Sequence, residues 1–391
     1  MKRRSAIKAI GLMGISSPLL SMPTTTSNNN TMWNKTKVTE LLGIKYPIIQ
    51  GPFGGGLSSL KLLSTVSNLG GLGSYGVHTF SAEQILALNK EILNLTNKPY
   101  ALNLWVSDHD ERLSAYTKAD YEKLKIKFKP YFDELGIAFP EMQTDFQPKF
   151  DQQVEAVLKA KPPVFSFVFG IPAKEILNEC RKSGIKTIGT ATTPDEAMAL
   201  EEAKVDLVVA TGAEAGGHRV SFIRSAEDSL TGTFALIPQV VDKIKTPVIA
   251  AGGIADGRGI VAALTLGASA VQIGTAFLAC EESNAIDMHR QKLFSPEAKY
   301  TTLTRVFTGR LARGIVSRLS EDMKDFQKEL APFPLQSSLM SGLRKAAIEQ
   351  NKPDTITFWS GQIAPILKYR NATDLFHSLV ADTEMILRNL R

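Results

Sequence analysis

The sequence predicts an α/β fold: a (β/α)8 TIM barrel with an inserted helical segment and a C-terminal extension over the barrel mouth. Three observations predict it. Apolar runs alternate with amphipathic stretches between Tyr46 and Ala279, and glycines stand at many of the run ends. The alternation also continues past the roughly five or six strands at which a doubly wound sheet usually stops, and the glycine-rich loops are not confined to the first strand.

Tyr46–Gln50 is the first expected strand, and it runs into Gly51-Pro52-Phe53-Gly54-Gly55-Gly56. A helix is expected from about Ser58 to Asn68, then a short second strand within Gly70–Gly76. Ser81 and Gln84 have the spacing of a capping box. Behind it Ile85, Leu88, Ile92 and Leu95 recur at helical steps and make one apolar face. Tyr100–Val106 is the third strand and holds a polar Asn103 inside an apolar run. Ser107–Pro162 breaks the rhythm: it is charged and helix-prone over Tyr121–Leu135, then polar and punctuated by prolines. It reads as an insertion, a lid over the mouth of the core.

Val164–Phe169 resumes as the fourth strand, followed by a helix near Ala173–Lys182 and a fifth strand at Lys186–Thr190. Thr193-Pro194-Asp195-Glu196 opens the next helix with a capping hydroxyl and a first-turn proline. Leu207–Ala210 is the sixth strand, an unbroken apolar run of the kind buried on both faces in a parallel sheet. Pro247–Ala251 is the seventh, with a helix at Gly257–Leu266, and Ala270–Ile273 is the eighth. Beyond Cys280 the chain reads as helical, and basic over Arg305–Arg318, folding back over the barrel. The expected units are a tail (1–30), a barrel (36–283, with the insertion 107–162) and a helical extension (284–391).

The 391 residues, 43% of them hydrophobic, suffice for a barrel-sized core of about 250 residues. The net charge of +6 is spread without a long Lys/Arg block. It mildly favours small anions and gives nucleic acid no patch to grip. Cys180 and Cys280 are too few for a disulfide framework and lack metal spacing, so two buried thiols and no metal are expected.

Met1–Lys8 is basic, Ala9–Leu20 mildly apolar, and Ser21–Thr31 rich in Ser, Thr and Asn. The pattern resembles a bacterial twin-arginine signal with Arg3-Arg4 as the pair, which implies export to the periplasm. Ala6 stands where a bulky residue is usual and no clear Ala-x-Ala site follows, so a cytoplasmic tail is the other reading. No other run is long and apolar enough to span a membrane.

Three glycine-rich stretches carry the chemistry. After the sixth strand, Thr211-Gly212-Ala213-Glu214-Ala215-Gly216-Gly217-His218-Arg219 turns on its glycines and ends in an imidazole, the side chain whose ordinary pKa lies nearest neutrality. Ala250–Gly257 joins the seventh strand to its helix, and Gln272-Ile273-Gly274-Thr275 closes the eighth. In barrels these last two loops often bind phosphate through backbone N–H groups, which a Cβ would keep at a distance.

Taken together, Ala213–His218, Ala250–Gly257 and Val271–Leu278 resemble the nitronate monooxygenases, formerly called 2-nitropropane dioxygenases. The resemblance extends to Gln50-Gly51-Pro52, Gly54–Gly56, Asn103-Leu104 and Leu303–Gly314, most of the chain from about Leu41. It implies an FMN-dependent enzyme that oxidises alkyl nitronates with O2 to carbonyl compounds and nitrite, without external nicotinamide. Matched by position, His218 is the family's catalytic histidine, a general base able to deprotonate a neutral nitroalkane. Gly51, Pro52, Asn103, Thr211, Gly216, Gly217, Gly252, Gly253, Gln272, Ile273, Gly274 and Thr275 fall at its FMN contacts. Thr211 stands where the family usually has a glutamine, and its shorter side chain would reach the ring only through a water.

Two other readings compete. A flavin-dependent enoyl-acyl-carrier-protein reductase shares the barrel and the glycine loops, and a non-catalytic flavin- or phosphate-binding barrel would need no histidine at position 218. His78 and His109 are expected on loops at strand ends, in solvent or facing the mouth. His289 and His377 are expected on helix surfaces. Trp105 and Trp359 are expected to pack or to line the pocket, and Arg305, Arg310 and Arg313 to form a structural polar network.

Overall fold

The computed structural model of the protein describes residues 32–390, and the Arg3-Arg4 segment lies outside them. The barrel strands are β1 (Ile48–Gln50), β2 (Gly73–Gly76), β3 (Tyr100–Trp105), β4 (Val164–Val168), β5 (Lys186–Ala191) and β6 (Leu207–Thr211). A two-residue strand, β7 (Gly217–His218), pairs elsewhere, so the last two barrel strands are β8 (Val248–Ala251) and β9 (Ala270–Ile273). All are parallel, in the order β1-β9-β8-β6-β5-β4-β3-β2. A bridge from Ile49 to Leu72, with Leu72 N–H donating to the Ile48 carbonyl, brings the two ends of the sheet together.

Side-chain alternation sorts the strands into two layers. Ile49, Ala101, Val164, Ile188, Leu207, Val209, Ile249, Ala251 and Ala270 pack inside the barrel. Their neighbours Leu102, Phe165, Phe167, Val208, Ala250 and Val271 pack outward against the helices. The same alternation turns Asn103, Thr211 and Gln272 inward, at the carboxyl ends of their strands.

After α1 (Lys37–Leu42), the helices that follow the strands are α2 (Leu60–Asn68) and α3 (Ala82–Leu95), then, past α4 (Lys118–Glu134), α5 (Phe150–Ala160). Next come α6 (Lys174–Lys182), α7 (Pro194–Glu202), α8 (Thr233–Val241) and α9 (Gly257–Thr265). The Ser81–Gln84 capping box forms as expected, both bonds being present. Glu196 departs from expectation: its carboxylate leaves the helix end and accepts from Thr192, Phe222 and Ile223 N–H groups.

The eighth place among the barrel helices is filled from far along the chain. After α10 (Thr275–Leu278) and the excursion through α11 (Asp287–Leu293), α12 (Arg318–Asp322) and α13 (Leu335–Glu349), the chain returns as α14 (Ala372–Asn389), packed against α9 and α2. Ala372, Leu375, Phe376 and Leu379 form its buried face. The expected extension over the mouth therefore stops short of this helix. The insertion is shorter too: α5 buries Phe150, Val154 and Val157 against α3 and β3 and belongs to the barrel. Polar residues before it hide that apolar repeat.

Arg305–Arg318, expected to be helical, is instead a hairpin. Strands β10 (Thr301–Thr304) and β11 (Ala312–Ile315) pair antiparallel, and β11 also pairs with β7, placing Ala312 opposite His218. Gly309 lies between them at φ 87°, a conformation that glycine adopts without strain. The insertion and the C-terminal excursion share a second core, in which Leu124, Phe128 and Phe132 meet Leu319, Leu339 and Phe358. Among the described residues no helix is long and apolar enough to cross a membrane, and no cluster of three or more His, Cys, Asp or Glu side chains is placed to hold a metal.

Candidate active site

A cavity of about 980 Å³ opens at the carboxyl ends of the barrel strands. Inward-facing Asn103, Thr211 and Gln272 stand at its floor, and the insertion and α13 contribute its outer walls. Gly51, Pro52, Gly216, Gly217, His218, Gly252, Gly253, Gly274 and Thr275 line it as well. Ile273 does not. Alternation turns its side chain outward into the helix-facing core, fully buried, and its carbonyl accepts from Gly51 N–H, so its expected contact with a ligand is corrected.

The glycine edge is built from two loops. Gly252 and Gly253 sit at φ 100° and 69°, where an L side chain would be strained, so the chain after β8 can turn its backbone toward the cavity. A Cβ on Gly274 would meet no atom within 4 Å, which marks open space at that position. The Thr275 hydroxyl accepts from Gly361 N–H at 2.9 Å and keeps its own proton for a ligand.

The loop after β6 is pinned from several sides. Glu214 accepts from the N–H and hydroxyl of Thr233, at 2.8 and 2.9 Å. Arg219, with 1% of its surface exposed, donates to the carbonyls of Gly212 (2.7 Å), Thr211 (3.0 Å) and Ser229 (3.2 Å). Burial lowers its guanidinium to about 10, so it stays charged at neutral pH. Arg313 donates to the Ala213 carbonyl at 2.9 Å.

This frame, with the β7–β11 pairing, fixes the backbone of His218. Its ring meets Trp105 edge-on at 4.9 Å and lies 5.4 Å from Trp359. Nε2 is 2.9 Å from the Thr308 hydroxyl, which is also within 3.2 Å of the Arg310 carbonyl. With the threonine proton on that carbonyl, its oxygen accepts from Nε2–H, and Nδ1 keeps a lone pair with no hydrogen-bond partner among the described residues. Burial, then the Arg310 charge and His78, push the imidazole down to about 3, so it is neutral.

Arg310 is paired with Asp110 at 2.8 Å, donates to Ser107 and lies over the rings of Phe169 and Phe333. It ties the start of the insertion to the C-terminal excursion. Arg305 pairs with Glu227 at 2.8 Å, so the three arginines form the structural network expected of them. His109 is exposed and bonded to Asp108, and His377 is exposed on α14. His289 is not a surface residue: 2% exposed, it donates from Nε2 to the Trp359 carbonyl at 2.9 Å, and burial pushes its imidazole down to about 4. Cys180 and Cys280 are buried free thiols.

Sequence reasoning passed over three residues beside the His218 ring or its neighbours: Thr308, Phe333 and, as anything beyond a loop histidine, His78. His78 lies two residues past β2, and its place at a strand's carboxyl end is the signal that could have singled it out.

A barrel with glycine loops and a buried imidazole around one cavity at its mouth is the kind on which flavin-dependent oxidoreductases are built, and known proteins place the chain among them. The family model described as nitronate monooxygenase matches residues 35–382. A probable nitronate monooxygenase of Staphylococcus haemolyticus (strain JCSC1435) is 39% identical over 362 residues, covering 92% of this chain and 100% of that one. One from Staphylococcus aureus (strain Newman) is 37% identical over 358 residues, covering 91% and 99%. The crystal structure of nitroalkane oxidase from Streptomyces ansochromogenes superimposes with a TM-score of 0.84 at 32% identity, over 91% of this chain and 100% of that one. FabK from Thermotoga maritima superimposes with a TM-score of 0.71 at 26% identity, over 91% and 98%. The chain belongs to the nitronate monooxygenase family.

Proposed function

We propose that this protein is an FMN-dependent nitronate monooxygenase. It oxidises alkyl nitronates, and nitroalkanes that it first deprotonates, with O2 to carbonyl compounds and nitrite. The observation that carries the reading is the place of His218, bonded through Nε2 to Thr308, in one cavity with the glycine loops.

The residues present fit FMN. The open space at Gly274, the free Thr275 hydroxyl proton and the turned backbone at Gly252 and Gly253 suit a phosphate. Asn103, Thr211, Gly216, Gly217 and Gln272 are the groups available to hold the ring, with Gly51 and Pro52 along its edge. Once bound, the flavin supplies the electron transfer that links substrate oxidation to O2.

His218 takes the proton from the carbon that bears the nitro group. Its neutral form is ready for this throughout the physiological range. The imidazolium that results is disfavoured by Arg310 and by burial, but the nitronate formed beside it carries the compensating charge. Trp105, Phe333 and Trp359 supply an apolar wall beside that pair.

The test is oxygen uptake and nitrite release by the flavin-loaded protein with propionate 3-nitronate and with nitroethane. His218→Asn should lose roughly 10²–10⁴-fold on nitroethane, the usual contribution of a placed base, and much less on the preformed nitronate. NADH consumption driven by an enoyl thioester, with no nitrite from either nitro substrate, would overturn the reading in favour of a reductase.

A further inference from the structure

His78 is an imidazole in this cavity that the chemistry above does not use. It sits two residues past β2, on the same indole as His218: its ring lies flat on Trp105, with centroids 4.0 Å apart and planes 4° apart. Gly54 stands at the Cε1 edge of the ring, where a Cβ would come within 2.4 Å of His78 Cε1. The ring can lie on Trp105 in this place because position 54 carries no side chain. His78 Nδ1 is buried without a hydrogen-bond partner, while the residue lines the cavity. A buried N–H with no acceptor is rarer, and more costly, than an unshared lone pair. The proton therefore belongs on Nε2, the nitrogen on the far side of the ring from Cβ and the one left to meet a ligand. Burial and the Arg310 charge keep the ring neutral, pushed down to about 3. Arg310 itself is committed to Asp110 and Ser107.

We propose that His78 is a second catalytic residue, whose Nε2–H donates a hydrogen bond to a nitro oxygen of the substrate as His218 removes the α-proton. The proposal rests on the nitronate reading given above. In this step the Cα–H bond breaks and the proton passes to His218 Nδ1. The bonding pair becomes the C=N bond of the nitronate, and negative charge moves onto the nitro oxygens. His78 gives up no proton. Its donor meets charge that is larger in the nitronate than in the nitroalkane, so it stabilises the transition state more than the ground state.

His78→Phe keeps a flat ring on Trp105 and removes the donor, and His78→Gln keeps a donor without the ring. With nitroethane, the phenylalanine variant should lose kcat by roughly 10²–10³-fold, as when one oxyanion donor is removed, and the glutamine variant should stay within about tenfold of wild type. With propionate 3-nitronate, the phenylalanine variant should show a raised KM and a nearly unchanged kcat. Equal behaviour of the two variants, or an equal loss on both substrates, would mean that the ring only packs and would overturn the proposal. If the phenylalanine variant fails to hold flavin, His78→Leu replaces it. Propionate, titrated into the flavin-loaded proteins and followed by the flavin absorbance, gives a readout without turnover: binding should weaken about tenfold without the donor. If wild type oxidises no nitronate, the functional reading fails; if it does and propionate binding is unchanged in the variants, only His78 fails.

Discussion

At the scale of single residues, the His218–Thr308 bond sets which imidazole nitrogen faces the cavity. Thr308→Val is close to isosteric and removes the acceptor for Nε2–H. Flavin content should not change, because the Thr308 hydroxyl is bonded to His218 and to the Arg310 backbone and not to the glycine loops. The imidazole becomes free to place its proton on either nitrogen, and kcat on nitroethane should fall roughly tenfold, the worth of one hydrogen bond. Preformed nitronate, which needs no base, should be turned over at nearly the wild-type rate. An equal loss on both substrates would assign Thr308 to the shape of the pocket instead. The same scale shows what could be read without coordinates. Glycine positions and His218 stand out because few residue types suit their tasks. Ile273 was misplaced because membership in a motif does not say which way a strand residue points; the period-two alternation that puts Gln272 inside puts Ile273 outside. His289 looked like a surface residue because its partner, the Trp359 carbonyl, is a main-chain atom seventy positions away.

At the scale of elements, the strands were legible and the helices only partly so. A parallel strand is buried on both faces and writes an unbroken apolar run, whereas α5 and α14 each show a narrow stripe flanked by charge, far from the strands they cover. The β7–β11 pairing was illegible because its two strands lie far apart in sequence, with two barrel strands between them, and one contributes only two residues. The place of α14 makes a stability prediction. Phe376 is 1% exposed and meets Tyr46 edge-on, with ring centroids 5.8 Å apart, and it packs with the helix-facing core. Phe376→Ala should cost roughly 3–5 kcal/mol by cavity formation. It should lower the denaturation midpoint while leaving nitronate turnover per bound flavin unchanged, since α14 contributes nothing to the cavity wall. A cost below about 1 kcal/mol would show that α14 is a loosely attached tail.

For the whole molecule, the barrel was legible from the alternation of runs, and the two excursions that wall its mouth were legible only as interruptions. Their shared core joins Leu124, Phe128 and Phe132 to residues about two hundred positions later, a pairing that no local pattern encodes. The imidazoles buried around this mouth have a consequence for acid stability. Burial holds His78 and His218 down to about 3 and His289 down to about 4, against 6.5 for an exposed imidazole. The unfolded chain takes up these protons near pH 6.5 and the folded chain does not, so the unfolded state binds more protons and stability falls as pH is lowered. The loss begins near pH 6.5, continues to about pH 3–4, and is absent above pH 7. Carboxylates held below the ordinary carboxylate range, such as Asp256 and Glu201, act at lower pH, which leaves the window from about pH 6.5 to 5 to the imidazoles. Urea midpoints of the flavin-loaded protein at pH 8, 7, 6 and 5 should therefore be flat over the first two and decline over the last two. His289→Gln, which retains an N–H for the Trp359 carbonyl, should decline with a slope smaller by about one proton. A wild-type midpoint that stays level to pH 5 would mean that the three imidazoles take up protons in the fold as exposed ones do, and the neutral His218 on which the proposed chemistry depends would be lost.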